Sequence, residues 1–252
     1  MKQNILFCDG NKLDLVNDLC IKRNVGIEIQ TFYSPIRLDV HTDDQLNMIK
    51  NKIKKTNIKS LHGPFCELCP GSIDSRIRDV VVYRYLQIID ISKKLDINNI
   101  VLHHGYYPNT TSENKWINNF IETIQKILPE INTISIYFEN LFETDGELIC
   151  KVIREINHPQ IKACLDIGHI NCFSSKKPIE WFELLNNKIG YIHMHNNTGE
   201  QDSHSSLDDG NLNYSKIIPY INNYCPNALC AIETSHDVLE RSLEYINNMR
   251  CI

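Results

Sequence analysis

Residues 134–166, ISIYFENLFETDGELICKVIREINHPQIKACLD, contain an apolar run, a segment of helical period and a second apolar run. The two runs, at 134–139 and 163–166, have the length and composition of buried strands, and the apolar residues of 146–156 recur at the spacing of one helix face. A strand, a helix and a second strand in this order predict a βαβ unit with parallel strands.

The same alternation continues in both directions along the chain. It predicts eight strands, near residues 5–7, 26–30, 58–61, 100–103, 134–139, 163–166, 190–195 and 229–233. Between and after them it predicts eight helices, near residues 13–22, 42–54, 75–95, 112–127, 146–156, 178–185, 214–222 and 236–248. Thr42 before Asp43, Asp44 and Gln45 has the pattern of a capping box, and Pro178 suits a first helical turn.

Eight βα units in 252 residues leave two parallel-sheet folds to consider. An open doubly wound sheet commonly carries a Gly-rich phosphate loop after its first strand, whereas CDGNKLD at 8–14 offers one glycine there. A closed barrel commonly takes about 250 residues in a single domain. The sequence therefore predicts a (β/α)8 TIM barrel, in which residues 1–252 form one domain.

The overall composition is that of an ordinary globular protein, with 42% hydrophobic and 23% charged residues. A formal charge of −5 argues against a broad, non-specific nucleic-acid binder. No signal-peptide segment and no membrane-spanning run is recognisable, so we expect a cytoplasmic protein that does not contact membranes. The ten cysteines are scattered, which favours reduced thiols, and we interpret the Cys66-x-x-Cys69 pair as a chance spacing in a loop.

Six consecutive predicted strands end in residues suited to metal ligation, and barrel strands converge at that end. These residues are His62, His103, Glu139, Asp166, His193 and Glu233, with His169 shortly after Asp166. The loop after the seventh strand adds Asp202 and His204, which are spaced to face the same side of an extended segment. Nine nitrogen and oxygen donors without a thiolate suit Zn, Mn, Fe or Co, and they are enough for two or three ions.

The order of these motifs resembles a known family. HGPF at 62–65, H-x-G at 103–105, E-N at 139–140, D-x-G-H at 166–169, H-x-H-N-N at 193–197, D-x-H at 202–204, D-D-G at 208–210 and the final Glu233 follow one another as in the xylose isomerase-like barrel superfamily. The similar branch contains endonuclease IV, of the AP endonuclease family 2, and many sugar isomerase or epimerase homologues.

The resemblance to endonuclease IV implies three zinc ions on the nine donors named above. It favours His103 over His104 as the ligand of that doublet. His195, on the same strand face as His193, is expected to lie behind the ligands or to face the substrate. The chain departs from endonuclease IV after strands two and three, where QTFYSPIR and HGPFCELCPGS contain no recognisable DNA-inserting loop. Duplex DNA is therefore a doubtful substrate.

Two reactions remain open, and ligand count favours the first. In a phosphoester hydrolase, two or three ions would activate water oriented by Glu139, and the substrate would be an abasic nucleic acid, a nucleotide or a sugar phosphate. In a sugar isomerase or epimerase, Glu139, Asp166, His193 and Glu233 would bind one ion, Glu139 and Glu233 would exchange a proton with the substrate, and His169 would bind it.

An inactive barrel that binds a ligand is the third hypothesis, because a fold alone does not establish a reaction. Four residues outside the ligand set are given roles from their positions. Tyr106 and Arg37 would line the pocket and meet substrate, as would His195, and Glu28 would point into the barrel behind the ligands. The sequence makes no prediction of oligomeric state.

Overall fold

Eight parallel strands close into a barrel in a computed structural model that describes residues 4–108, 110 and 112–249. Each strand pairs with the next along the chain, and β8 pairs with β1. The strands are β1 (Ile5–Cys8), β2 (Gly26–Ile29), β3 (Lys59–His62), β4 (Asn99–His103), β5 (Ser135–Glu139), β6 (Ile161–Asp166), β7 (Ile189–Met194) and β8 (Leu229–Ile232). The prediction of a single-domain TIM barrel is confirmed.

The described helices surround the barrel. They are α1 (Leu13–Arg23), α2 (Pro35–Val40), α3 (Asp43–Lys52), α4 (Ser75–Leu95), α5 (Glu113–Gln125), α6 (Leu128–Ile131), α7 (Glu147–Ile156), α8 (Ile167–Phe173), α9 (Pro178–Leu185), α10 (Tyr214–Tyr224) and α11 (Leu239–Met249). Three 3₁₀ turns occur at Ile53–Lys55, Asn186–Lys188 and His236–Val238.

The sequence pattern did not predict α2 or α8. Both are too short to show a helical period, and each depends on one residue at its start. Pro35 occupies the first turn of α2, where its missing N–H is not needed. The Asp166 carboxylate accepts the N–H of His169, so α8 begins directly where β6 ends.

Two apolar layers hold the fold together. Between strands and helices lie large side chains with almost no exposure, among them Trp116, Phe120, Phe138 and Trp181. Inside the barrel, Leu6, Val101, Tyr137, Tyr191 and Ala231 fill the end opposite the predicted donors. The Tyr191 hydroxyl lies 2.7 Å from that of Ser60, so this deeply buried polar group has a partner.

Among the described residues, no helix is long and apolar enough to cross a membrane. None of the nine described cysteines, including Cys66 and Cys69, forms a disulfide.

The capping box predicted at Thr42 is present. The Thr42 hydroxyl accepts the Gln45 N–H, and the Gln45 side chain accepts the Thr42 N–H at 2.9 Å.

We expect Thr42→Ala to lower the free energy of unfolding by about 1 kcal/mol, because the first turn of α3 loses an acceptor. Urea denaturation measures this change. Ser112→Ala is the matched control, since Ser112 precedes α5 without a side-chain cap; an equal loss in both variants would contradict the assignment.

Candidate metal centre

The predicted donors come together at one mouth of the barrel. Every strand runs in the same direction, so the strand ends that carry His62, His103, Glu139, Asp166 and His193 meet there. Glu233 follows β8 directly, and its N–H donates to the Met194 carbonyl at 3.0 Å. The nine donors, joined by His195, fall into three groups, two of which share Glu139, and in each group the ligand atoms lie within 4.8 Å of one another.

The central group consists of Glu139, Asp166, His193 and Glu233. Nδ1 of His193 lies 2.8 Å from Oε1 of Glu139, 3.1 Å from Oε2 of Glu233 and 3.7 Å from Oδ2 of Asp166. Three carboxylates therefore face one imidazole nitrogen. Of the four side chains in this group, only that of Glu233 is appreciably exposed to solvent.

The second group consists of His62, His103 and Glu139. Oε2 of Glu139 lies 3.3 Å from Nε2 of His62 and 3.5 Å from Nε2 of His103. Glu139 thus directs one oxygen to each of two groups, which is the position of a carboxylate able to bridge two ions.

The outer group consists of His169, His195, Asp202 and His204. Oδ2 of Asp202 lies 3.2 Å from Nε2 of His169 and 3.1 Å from Nε2 of His204. His204 adopts a left-handed backbone with φ of 47°, and its Nδ1 lies 2.9 Å from the Glu233 carbonyl oxygen. This contact aims its Nε2 at Asp202.

Local sequence fixes the direction of His169. The Asn140 amide pairs with the backbone of Asp166 in both directions, at 2.8 and 3.1 Å, and the Asn140 carbonyl oxygen lies 2.8 Å from Nδ1 of His169. Nε2 of His169 is thereby left to face the outer group. Gly168 is required here because a Cβ at this position would lie 1.9 Å from the His195 ring.

Electrostatics leaves the carboxylates ionised and His103 neutral, whereas His169, His193 and His204 tend to hold a proton because buried carboxylates raise their pKa. Burial opposes the charge of Glu139, but the His193 and His103 rings hold its pKa well below the usual range. Burial lowers the pKa of His103 to about 3, so this ring is neutral at pH 7. In the outer group, burial is outweighed by Asp202, which raises the pKa of His204 to about 9; a bound cation would displace that proton.

The residues fit a divalent metal. The donors are imidazole nitrogens and carboxylate oxygens, which suit Zn, Mn, Fe or Co. Two further atoms, Oδ1 of Asp202 and Nδ1 of His195, are buried with no hydrogen-bond partner among the described residues. Buried polar atoms normally have partners, and the unpaired Oδ1 of Asp202 lies 3.6 Å from Nε2 of His195, where a cation could bind both atoms.

A cavity of about 550 Å³ opens directly above the three groups. Its walls include the aromatic side chains of Tyr33, Phe65, Tyr107 and Phe142, and none of its described lining residues is Lys or Arg. Gln30, which directly follows β2, also lines it and donates to Oε1 of Glu233 at 2.6 Å. Sequence reasoning missed Gln30, although its strand-end position is the same signal that identified the ligands.

The three residues predicted to face substrate lie elsewhere. Tyr106 is buried against Trp116, with ring centroids 5.3 Å apart, and Tyr107 lines the cavity instead. Arg37 is an exposed residue of α2 that does not line the cavity.

His195 is fully buried. Its Nε2 lies 3.1 Å from Oδ1 of Asp166, and its ring stacks 4.0 Å from that of His204. The geometry gives no support to a substrate contact for these three.

Comparison with known proteins assigns this barrel to a family. The sequence model of the xylose isomerase-like TIM barrel matches residues 26–251. The chain belongs to the xylose isomerase-like TIM barrel family. This family is one of enzymes, and a curated relative, protein MJ1311 of Methanocaldococcus jannaschii, is 27% identical over 208 residues, covering 74% of this chain and 70% of that protein.

Solved structures share the xylose isomerase-like fold over almost the whole chain. D-psicose 3-epimerase from Clostridium cellulolyticum H10, solved with D-tagatose, has a TM-score of 0.78 at 14% identity and covers 99% of both chains. The TTHB071 protein from Thermus thermophilus, soaked with ZnCl2, has a TM-score of 0.78 at 20% identity, covering 99% of this chain and 98% of that one.

We expect divalent ions to stabilise this xylose isomerase-like barrel, because they relieve the repulsion among Glu139, Asp166 and Glu233. A ligand at 100 times its Kd contributes about 2.7 kcal/mol, which for a domain of this size raises Tm by about 5 to 10 °C. Differential scanning calorimetry of the chelator-treated protein with and without added Zn²⁺ measures the shift. Asp166→Asn should reduce it, and a Tm independent of metal would contradict a site at these residues.

Proposed function

We propose that this protein is a divalent-metal-dependent sugar epimerase or isomerase that moves a proton at the carbon next to a carbonyl. The observation that carries the proposal is the convergence of Glu139 and Glu233, from β5 and β8, on Nδ1 of His193 at 2.8 and 3.1 Å. Both carboxylates also line the cavity. Proton removal and return at one carbon needs two such groups, on different sides of the substrate.

A divalent ion held by Glu139, Asp166, His193 and Glu233 would polarise the substrate carbonyl and so acidify the neighbouring C–H. Glu139 then accepts the proton from that carbon, and the bonding electrons move into the carbonyl. Glu233 passes a proton taken up from solvent to the opposite face, which inverts the carbon and restores the carbonyl, and Glu139 then returns its proton to solvent. Gln30 holds Oε1 of Glu233 by its amide at 2.6 Å, which fixes the direction of that carboxylate.

The cavity suits a neutral sugar better than a phosphorylated one. Its described lining contains Glu67, Glu139, Asp202 and Glu233 but no Lys or Arg, and one divalent ion would leave it negative. Aromatic walls such as Tyr33 and Phe65 provide flat apolar surfaces against which a sugar ring can pack. The epimerase of Clostridium cellulolyticum, solved with D-tagatose on the same fold, agrees with this substrate class.

Phosphoester hydrolysis, which is favoured by the number of metal-ligating residues predicted from the sequence, remains the second candidate. The observation in its favour is that the His62–His103 group and the outer group have no necessary role in a one-ion reaction. Two divalent ions would neutralise the four carboxylates of the three groups and three would outweigh them, so the site could then attract a phosphate of an abasic nucleic acid, a nucleotide or a sugar phosphate. Glu139, between two groups, would orient the attacking water.

Zinc is the metal we propose first for a site of two or three ions, because histidines predominate in the second and outer groups. The zinc-soaked barrel from Thermus thermophilus has the same fold. Mn, Fe or Co would suit the carboxylate-rich central group, and two to three ions per chain is the number that the donors allow.

Metal stoichiometry separates the two candidates. We expect one tightly bound ion per chain to persist in His62→Ala and His204→Ala, because neither residue belongs to the central group. Elemental analysis of protein purified without chelators measures this number. Two or three ions per chain, each lost with the corresponding histidine and accompanied by phosphatase or abasic-site cleavage, would favour hydrolysis.

Proton exchange with solvent tests the epimerase directly. We expect ketohexoses incubated in D₂O with the metal-loaded protein to take up deuterium at the carbon next to the carbonyl. Glu139→Gln and Glu233→Gln should slow uptake by about 10² to 10⁴-fold, since each removes an acid–base group. Mass spectrometry follows the label. Glu143→Gln is the control, because this buried Glu pairs with His104 outside the three metal groups; uptake unaffected by all three changes would overturn the assignment.

A further inference from the structure

His193 has no exposed surface, and its two ring nitrogens face different surroundings. Nδ1 faces the three carboxylates of the central group. Nε2 points away from them, towards the interior of the barrel, and lies 3.1 Å from Oε2 of Glu28. Which nitrogen carries the proton therefore decides whether the ring can bind an ion in the central group.

Glu28 projects from β2 into the barrel and is completely buried. Its Oε1 accepts the Cys8 thiol at 3.3 Å and the Gln30 amide at 3.4 Å, the Tyr191 hydroxyl is a further hydrogen-bond partner, and Oε2 is the oxygen that faces His193. An ionised carboxylate accepts hydrogen bonds and donates none. A buried carboxylate at this distance therefore favours the tautomer of His193 in which Nε2 carries the proton over the one in which Nε2 carries a lone pair.

We propose that Glu28 is a positioning residue that keeps the proton of His193 on Nε2, so that the lone pair of Nδ1 faces the metal. This inference rests on the metal site of the proposed function and is independent of the reaction that the site performs. The opposite tautomer would place an N–H among Glu139, Asp166 and Glu233, where it would occupy the position of the ion.

Two physical effects follow from the contact. The hydrogen bond fixes the ring plane of His193, and the negative charge of Glu28 makes the ring a more basic ligand. The negative charge of Glu28 is buried and therefore needs a positive partner. That partner is a proton on Nε2 of His193 or an ion bound at Nδ1 of the same ring. Glu28 and the central ion should therefore stabilise each other.

Metal affinity of Glu28→Gln tests the proposal. The amide has nearly the same size but no charge, and it can present its NH₂ to Nε2 and favour the wrong tautomer. We expect the affinity of the central site for Zn²⁺ to fall about 10 to 100-fold, measured by competition with a chromophoric chelator in the His62→Ala, His204→Ala background.

Glu143→Gln in the same background is the matched control. Glu143 is also buried and lies 2.7 Å from a histidine nitrogen, Nδ1 of His104, which belongs to none of the metal groups. Unchanged affinity in Glu143→Gln with a fall in Glu28→Gln supports the proposal. Equal affinities in the two variants would overturn it.

A second measurement uses the unaltered protein and does not depend on any variant folding. In ¹⁵N NMR of the zinc-loaded chain, the His193 ring should have a protonated Nε2 and an unprotonated Nδ1. A proton on Nδ1 refutes the proposal. If these results hold while no deuterium uptake is found with sugars, the positioning role stands and the proposed reaction fails.

Discussion

Closure of the barrel is the constraint on which the candidate site depends. β8 returns to β1, where Ile5 pairs with Cys230 and Phe7 with Ile232. An open sheet with the same strands would leave Glu233 of the last strand far from Glu139 of the fifth. Because the sheet closes and all strands are parallel, both carboxylates reach the same imidazole nitrogen.

That convergence creates an excess of negative charge that the protein alone does not balance. Glu28, Glu139, Asp166 and Glu233 all approach His193, which can carry one positive charge. Carboxylates are rarely buried together without a counterion, because desolvation of each charge costs several kcal/mol. An arrangement that is electrostatically unfavourable in the free chain becomes favourable with a divalent cation, which is the physical basis for proposing an ion at this site.

The two candidate reactions differ in how many such ions the mouth of the barrel holds. One ion leaves an acidic cavity with aromatic walls, suited to a neutral polyhydroxy substrate. Three ions make it cationic, suited to a phosphate. His62, His103 and the outer group decide between these states, and their retention is the one feature that the epimerase proposal does not itself require. The fold is shared with a sugar epimerase, and a shared fold does not choose between the two reactions; the donor set has room for either number of ions.

The pattern of apolar and polar residues in the sequence was sufficient to predict the barrel fold and the candidate metal donors. Alternating strand and helix periods indicated eight units, and a histidine or carboxylate at the end of strand after strand indicated one metal-binding face. These signals are local, since they depend on period and on position within a unit. All nine predicted donors lie in the three groups, and their role as ligands remains a prediction.

Tertiary structure alone decided which donors share a group and what lies around them. Gln30 and Glu28 contact Glu233 and His193 across the closed barrel, from positions about 200 and 165 residues away in sequence. Tyr107 faces the cavity while its neighbour Tyr106 packs on Trp116, and His195 lies beneath His204. Such choices depend on side-chain direction and on contacts between distant strands, which a period in the sequence does not encode.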